Sequence, residues 1–259
     1  MDKFLKVLSD EGLEIAGMQR LPTKWHGDIH FKVVINNLPY SIRFIHDNRE
    51  FNCIPPVIMD DNMLRSQIIY GQYLMKNDIP FMKAFNFQNN NLILNVYIED
   101  RNYRVVMFEW QQGVCIESSN EVIAYEIGKL ARRIHDVSEQ YTHDNLVEIH
   151  SFREWPGNPP CLVILAQDNV NPENSNNNLD SFIACTEKNI ETAFAINSKK
   201  LVTHGDLNFP NLFWESGAAK ITGIVDFDSI GITTRLSDLA WLMKWYSREK
   251  GIGNEIFSA

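Results

Sequence analysis

The chain has 259 residues, of which 44% are hydrophobic and 22% are charged, a composition typical of a soluble globular protein. The formal net charge of −9 argues against binding to a nucleic-acid backbone, which depends on clustered Lys and Arg, and favours a neutral or cationic partner. No apolar run approaches the roughly 18 residues that a membrane span needs, and the four cysteines are not spaced as zinc ligands. We therefore expect a cytoplasmic protein that binds neither nucleic acid nor membrane.

The first hundred residues predict an antiparallel sheet with one inserted helix. Residues 1–20 predict a short helix followed by a turn. Two β-rich runs between Ile29 and Ile45 flank Asn36-Asn37-Leu38-Pro39, which is a hairpin signal. The other elements predicted in this part are a helix over 62–77, a strand pair formed by 85–87 and 92–98 around a turn at 88–91, and a strand over 103–110.

The sequence after Trp110 is richer in helical patterns. A capping box at Ser118 and Glu121 predicts the start of a helix. Its apolar residues recur every three or four positions and share one face; they are Ile123, Ile127, Leu130, Ile134 and Val137. The Asn-rich stretch 167–180 predicts a loop, and a helix is predicted to follow from about residue 179 to residue 195.

A sheet-rich first part and a helix-rich second part predict an α+β protein of two lobes. We place the N-terminal, nucleotide-binding lobe at 1–109 and the C-terminal, catalytic and substrate-binding lobe at 110–259. A cleft between two lobes is where ligands usually bind.

Polar side chains follow a short apolar strand in the second lobe. The strand 201–204 leads into a loop that contains Asp206 and Asn211. Two further predicted strands, 212–214 and 221–225, form a hairpin that ends at Asp226. The hairpin should bring Asp226 back beside Asn211, with Asp206 a few residues away.

These three side chains suit phosphoryl transfer. Mg²⁺ prefers a few hard oxygen ligands and keeps water and substrate phosphates for the rest of its coordination, so we assign Asn211 and Asp226 to a metal. Asp206 is left to accept the proton of an attacking hydroxyl. The alternative is a loop without chemistry, because Asp and Asn are also common turn and capping residues.

The string HGDLNFPN, followed twenty residues after its Asp by IVDFD, resembles the aminoglycoside phosphotransferase and choline kinase-like superfamily. The resemblance implies a bilobal protein-kinase-like fold and an ATP- and Mg²⁺-dependent small-molecule kinase. It assigns Asp206 as the catalytic base, Asn211 as a metal ligand and Asp226 as the principal metal ligand. His204 takes the family's structural His position, and Asp228 is a supporting carboxylate or a helix cap.

The resemblance also covers the first lobe, with departures. Residues 106–110 are similar to the linker between lobes, in which backbone groups of Phe108, Glu109 and Trp110 would hold adenine. Arg43 stands where the family has the strand Lys that contacts the α- and β-phosphates, and Gln67 stands where the family has the Glu that pairs with it. A glutamine cannot form that ion pair.

The resemblance implies transfer of the ATP γ-phosphate to a hydroxyl of a small molecule. An aminoglycoside, choline, homoserine or a similar metabolite alcohol all remain open as the partner, and the acidity of the chain favours a cation. The rival is a nucleotide-binding pseudokinase, or a regulatory binding module, without efficient turnover. Gln67, Arg43 and a glycine-poor loop at 22–30 favour the rival, whereas the intact Asp206, Asn211 and Asp226 favour the kinase.

Overall fold

A five-stranded antiparallel sheet dominates the first half of the chain. The computed structural model describes residues 2–22, 27–47, 50–51, 57–142, 145–148, 188, 192 and 199–248. The elements of the first half are α1 (Asp2–Asp10), β1 (Ile15–Leu21), β2 (Ile29–Ile35), β3 (Leu38–His46), β4 (Glu50–Phe51), β5 (Val57–Ile58), α2 (Asp61–Lys76), β6 (Leu94–Ile98) and β7 (Arg101–Glu109). The strand order in the sheet is β1-β2-β3-β7-β6.

Two tight turns set the register of this sheet. Asn36 and Asn37 have φ of 50° and 63°, the left-handed pair that suits the twist of a two-residue hairpin, so the predicted β2–β3 hairpin is confirmed. Glu99 and Asp100, with φ of 47° and 61°, make a similar turn between β6 and β7. The sequence pattern did not reveal this second turn, because Glu is an uncommon residue at such a position.

The predicted pairing of 85–87 with 92–98 is wrong. β6 pairs with β7, in a register that places Val96 opposite Tyr103, because the Glu99-Asp100 turn folds it back onto that strand. Residues 85–87 instead form isolated contacts, such as the Phe85 N–H donating to the carbonyl of Met107 at 2.8 Å. Residues 1–20 also differ from expectation, since β1 follows the predicted helix and turn.

Helix α2 confirms the prediction for 62–77 to within one residue. Asp60 caps it by accepting the N–H of Met63 at 2.8 Å, a typical N-cap bond. The helix buries Leu64, Ile68 and Leu74 in a core that also contains residues of the second half of the chain. Because this core crosses residue 109, the division of the chain at that point stays a prediction.

The second half combines helices with two short two-stranded sheets. The elements bounded within its described residues are α3 (Glu121–Ser138), β8 (Lys200–Thr203), β9 (Leu212–Trp214), β10 (Ile221–Ile224), β11 (Gly231–Thr234) and α4 (Arg235–Arg248). β9 pairs with β10 as predicted, and β8 pairs with β11, a strand that was not predicted. The predicted loop at 167–180 and most of the helix that follows it lie outside the described residues.

The N-terminal cap of α3 differs from the sequence interpretation. The predicted helix is present, but it begins two residues later than a cap at Ser118 implies, and its cap is Asn120, whose Oδ1 accepts the N–H of Ile123 at 2.9 Å. Asp238, in the first turn of α4, is buried against His135, with 2.7 Å between Oδ2 and Nε2, and so ties α4 to α3.

The β9–β10 hairpin is fastened to the segment that joins the two halves. Gln111 donates from Nε2 to the carbonyl of Thr222 at 3.0 Å, and Val114 and Trp214 exchange backbone hydrogen bonds of 2.9 Å in both directions. Gly223 makes room for this contact, because a Cβ there would lie 2.1 Å from Cδ of Gln111.

Within the described ranges, no helix has the length and apolar character to cross a membrane.

Candidate active site

Asp206 lies in the loop after β8, and three side-chain donors surround its carboxylate. Nδ2 of Asn208 is 3.0 Å from both carboxylate oxygens. Nδ2 of Asn211 is 3.1 Å from Oδ2, and Nε1 of Trp241 is 3.4 Å from Oδ1. These bonds hold the carboxylate in one orientation, which is what a base that receives a substrate proton requires.

The β9–β10 hairpin brings Asn211 and Asp226 together. Asn211 ends a short 3₁₀ turn immediately before β9, and its backbone carbonyl accepts the N–H of Val225 at 2.9 Å. Asp226 follows in a left-handed conformation with φ 69°, which is uncommon outside Gly, Asn and Asp. The expected convergence of the loop and the hairpin end is therefore present, while the chemical roles of these residues stay predictions.

His204 connects the two strand ends through both ring nitrogens. It is buried, as predicted; Nε2 lies 3.2 Å from the carbonyl of Val225, and the backbone N–H of Asp206 donates to Nδ1 at 3.3 Å. A neutral ring with its proton on Nε2 satisfies both bonds. Burial lowers the pKa of His204 to about 4, so the neutral form persists at physiological pH.

Protonation of His204 should destabilise the fold in acid. The folded pKa lies below the value of about 6.5 expected in the unfolded chain, so the unfolded chain binds a proton that the folded chain does not, and stability falls as pH decreases through this window. Between pH 7 and pH 4.5, the contribution of His204 to the free energy of unfolding should fall by about 2 kcal/mol. Urea unfolding at the two pH values measures this change. His204→Asn should lose less over the same interval, and equal losses in both proteins would contradict the assignment.

The carboxylates of the site lie in an enclosed and negative environment. Burial raises the pKa of Asp206, while hydrogen bonds from Trp241, Asn211 and Asn208 oppose the rise. Partial burial raises the pKa of Asp226, the charge of Asp228 adds to the effect, and the charge of Arg43 opposes it. Raised carboxylate pKa values mark a place where a cation is favourable.

Arg43 on β3 supplies one such cation. Its guanidinium donates to Asp28 and to Asp228, and Nη1 lies 3.6 Å from Oδ1 of Asp226. Burial alone would lower the pKa of Arg43, but the three carboxylates raise it above its ordinary value. The residue assigned to the phosphates thus lies beside the metal loop, defined here as Asp226–Ile230.

Gln67 also contacts the metal loop, in a way the sequence did not indicate. Its side chain is fully buried on α2. Nε2 donates to the carbonyl of Ile230 at 3.0 Å and lies 3.5 Å from the carbonyl of Asp228. At the position predicted to correspond to the family's acidic partner of the strand cation, this chain has an amide that holds the backbone of the metal loop.

Gln67→Glu should therefore harm the protein. The change places a carboxylate against two carbonyl oxygens and removes both donors, and a buried group left without partners costs about 1–3 kcal/mol, more if charged. We expect a lower midpoint in thermal unfolding and weaker nucleotide binding. An unchanged or higher midpoint, or a gain in turnover, would show that the acidic residue of the wider family fits here; Gln67→Ala provides the comparison for simple loss of the contact.

The oxygen donors of the site fit a small hard cation. Both bonds from the Asn211 amide to Asp206 use Nδ2 and leave Oδ1 for another partner. The Asp226 side chain keeps 35% of its surface exposed. Among the described residues no group of three or more His, Cys, Asp or Glu could hold a metal, but Mg²⁺ requires only one or two carboxylates or amides when phosphates complete its coordination.

The predicted adenine segment ends β7. Two of its backbone donors are already used: the Glu109 N–H donates to the carbonyl of Lys83 at 2.8 Å and the Trp110 N–H donates to the carbonyl of Pro39 at 3.0 Å. The ring of Phe108 packs 5.4 Å from that of Phe227, which places the segment next to the metal loop. A role for Phe108, Glu109 and Trp110 in nucleotide binding stays a prediction.

Three residues at the site were not assigned to it from the sequence. Asp28 lies in the loop 22–30 and Asn208 lies within the string HGDLNFPN, but neither was assigned a role there. Trp241 lies on α4, 35 residues from Asp206. Their spacing along the chain gives no indication of a shared site, although Asn208 lies two residues after Asp206, where a side chain can readily reach back across a turn.

Comparison with solved structures gives proteins of the same fold. An amicoumacin kinase in complex with AMP-PNP and Ca²⁺ is 14% identical, with a TM-score of 0.65 over 98% of this chain and 72% of that chain. A microcompartment-associated aminopropanol kinase is 15% identical, with a TM-score of 0.65 over 95% and 75%. A spectinomycin phosphotransferase with ADP and spectinomycin is 12% identical, with a TM-score of 0.57 over 98% and 80%.

These likenesses confirm the bilobal protein-kinase-like α+β fold. No curated protein matches the chain in sequence. The model of the phosphotransferase enzyme family matches residues 69–254, which is well over half of the chain and includes Asp206, Asn211 and Asp226. The predicted enzyme class is thereby confirmed, and the chain belongs to the phosphotransferase enzyme family.

Proposed function

We propose that the protein transfers the γ-phosphate of ATP to a hydroxyl group of a small molecule, with Asp206 as the base and with Asn211 and Asp226 as metal ligands. The observation that carries the proposal is the convergence of these side chains at two neighbouring strand ends. Asn211 bonds to the carboxylate of Asp206 at 3.1 Å, and its carbonyl accepts the N–H of Val225, next to Asp226.

The proposed roles follow from the contacts. Asp206 would accept a hydrogen bond from the substrate hydroxyl and take its proton late in the transfer, so its main task is orientation. Asn208 and Trp241 keep the carboxylate fixed for that task. Arg43 would contact the nucleotide phosphates from the sheet side. A divalent cation bound between Asn211 and Asp226 would neutralise charge on the phosphates.

Mg²⁺ and ATP are the proposed cofactors. Support comes from relatives of the same fold that were solved with AMP-PNP and Ca²⁺ or with ADP, and from hard oxygen donors beside a buried arginine. The acceptor is a small alcohol. The enclosed negative site favours a cationic one, and a relative that phosphorylates aminopropanol by name offers an amino alcohol as the simplest member of that class.

The test is ADP release from MgATP across a panel of amino alcohols, choline, homoserine, aminoglycosides and neutral sugar alcohols. The expected result is release that depends on one cationic class and that is absent in Asp206→Ala. Release that is equal in the parent protein and in Asp206→Ala would overturn the assignment of the base.

The rival proposal, a pseudokinase, predicts a different pattern in the same experiment. Arg43 lies against Asp226 and Asp228, so a nucleotide could bind without a productive metal site. The rival would be supported by tight ATP binding, measured by calorimetry, without substrate-dependent ADP release from any member of the panel.

A further inference from the structure

The most deeply buried charged pair at the candidate site joins Arg43 to Asp28. Asp28 lies immediately before β2, within the loop 22–30, and the family resemblance assigns it no role. Its side chain has no exposed surface, and that of Arg43 is 11% exposed. Oδ2 of Asp28 accepts from Nε of Arg43 at 2.9 Å and from Nη2 at 2.6 Å.

These bonds fix the direction of the guanidinium. Asp28 occupies the edge formed by Nε and Nη2, and the ring of Phe227 lies 5.3 Å from the centre of the group. Nη1 is left on the side of Asp226, 3.6 Å from its carboxylate. Because a guanidinium is planar and stiff, holding one edge determines where the opposite nitrogen points, which here is toward the proposed phosphate and metal site.

The pair is difficult to explain by stability alone. Removing two charges from water costs several kcal/mol per ion, and a buried ion pair often contributes no more than an apolar pair of the same size. A lysine could not present one edge to Asp28 and another nitrogen to Asp226, because its ammonium is a single point of charge. The contact with Asp28 therefore depends on the shape of the arginine side chain as well as on its charge.

We propose that Asp28 is a positioning residue for nucleotide binding, which holds Arg43 in the orientation that contacts the phosphates. This inference rests on the proposed function. It places the partner of Arg43, the cation on β3, at the start of β2. The family pattern has that partner on the inserted helix, at the position of Gln67. Gln67 holds the backbone of the metal loop instead, so the two tasks are divided between two residues.

The test begins with ATP affinity, measured by calorimetry with Mg²⁺ and again with EDTA. Asp28→Asn keeps the size of the side chain and removes its charge, which weakens the hold on the Nε and Nη2 edge of Arg43. We expect the Kd for ATP to rise about tenfold, the usual scale for the loss of an outer positioning partner. The same loss should appear in EDTA, and kcat at saturating ATP should change much less than KM for ATP.

A double-mutant cycle separates positioning from simple destabilisation. In the Arg43→Lys background, Asp28→Asn should have little further effect on the Kd, because the group it orients has gone. Asp10→Asn, an exposed change of the same charge at the end of α1, is the matched control. If Asp28→Asn does not fold, the Kd for ATP is compared for Asp28→Glu instead, in the parent and Arg43→Lys backgrounds.

Each outcome has one meaning. Failure of the parent protein to bind ATP overturns the proposed function. Tight binding by the parent together with an unchanged Kd in Asp28→Asn overturns the positioning role and leaves the proposed function standing. Effects of Asp28→Asn that are equal in the parent protein and in the Arg43→Lys variant would show that Asp28 does not act through Arg43.

Discussion

Asp206→Asn is expected to lower kcat by about 10²–10⁴-fold, the usual contribution of a positioned base, while the affinity for ATP stays unchanged. The substitution keeps the shape of the side chain but removes the charge that would accept the substrate proton. It also replaces one acceptor by an amide that cannot accept from Asn208, Asn211 and Trp241 together. Steady-state ADP release and ATP calorimetry measure the two quantities.

The comparison variant for this experiment is Asn208→Ala. It leaves the carboxylate charge in place and removes the donor 3.0 Å from both oxygens, so it should reduce kcat less than Asp206→Asn does. If Asn208→Ala were the more harmful change, orientation of the loop rather than the Asp206 carboxylate would carry the catalysis.

Asp226→Asn is expected to abolish the dependence of nucleotide binding on Mg²⁺. In the parent protein Mg²⁺ should tighten ATP binding, because the metal adds bonds to Asp226 and Asn211 that ATP alone cannot make. In the variant, the Kd values measured with Mg²⁺ and with EDTA should converge, and kcat should fall by about 10–100-fold or more. Calorimetry in the two buffers provides the readout.

Asp228→Asn distinguishes the two carboxylates of the metal loop. Asp228 already accepts from Nη2 of Arg43, so its loss should alter ATP affinity through Arg43 and leave the effect of Mg²⁺ largely intact. If Asp228→Asn loses the effect of Mg²⁺ and Asp226→Asn keeps it, then Asp228 rather than Asp226 is the metal ligand.

Most of the catalytic half of the site could be predicted because it is local in sequence. Asp206 and Asn211 share one loop, and Asp226 is joined to that loop by a two-strand hairpin, so strand periodicity and turn residues were sufficient to bring them together. The β2–β3 hairpin and helix α2 could be predicted for the same reason. Each depends on residues within about twenty positions of one another.

The remaining features depend on contacts between distant residues. Asp28 meets Arg43 only because β2 pairs with β3, and Arg43 meets Asp228 only because the sheet lies over the metal loop. The sequence pattern correctly indicated that Gln67 cannot form an ion pair, but the carbonyls it binds are 161 and 163 residues away. The mistaken strand pair at 85–87 had a local cause, a turn at Glu99-Asp100 whose residues do not signal one.

The attachments of the β9–β10 hairpin link the candidate site to both halves of the chain. The hairpin is held by Gln111 on one side and, through hydrogen bonds of Ile224 with Pro80 and Met82, by the segment after α2 on the other. The segment after α2 is also bonded to β7, because the Glu109 N–H donates to the carbonyl of Lys83 and the Phe85 N–H donates to that of Met107. The hairpin that carries Asn211 and Asp226 and the sheet that carries Arg43 therefore share one backbone connection, and a displacement of either should be transmitted to the other.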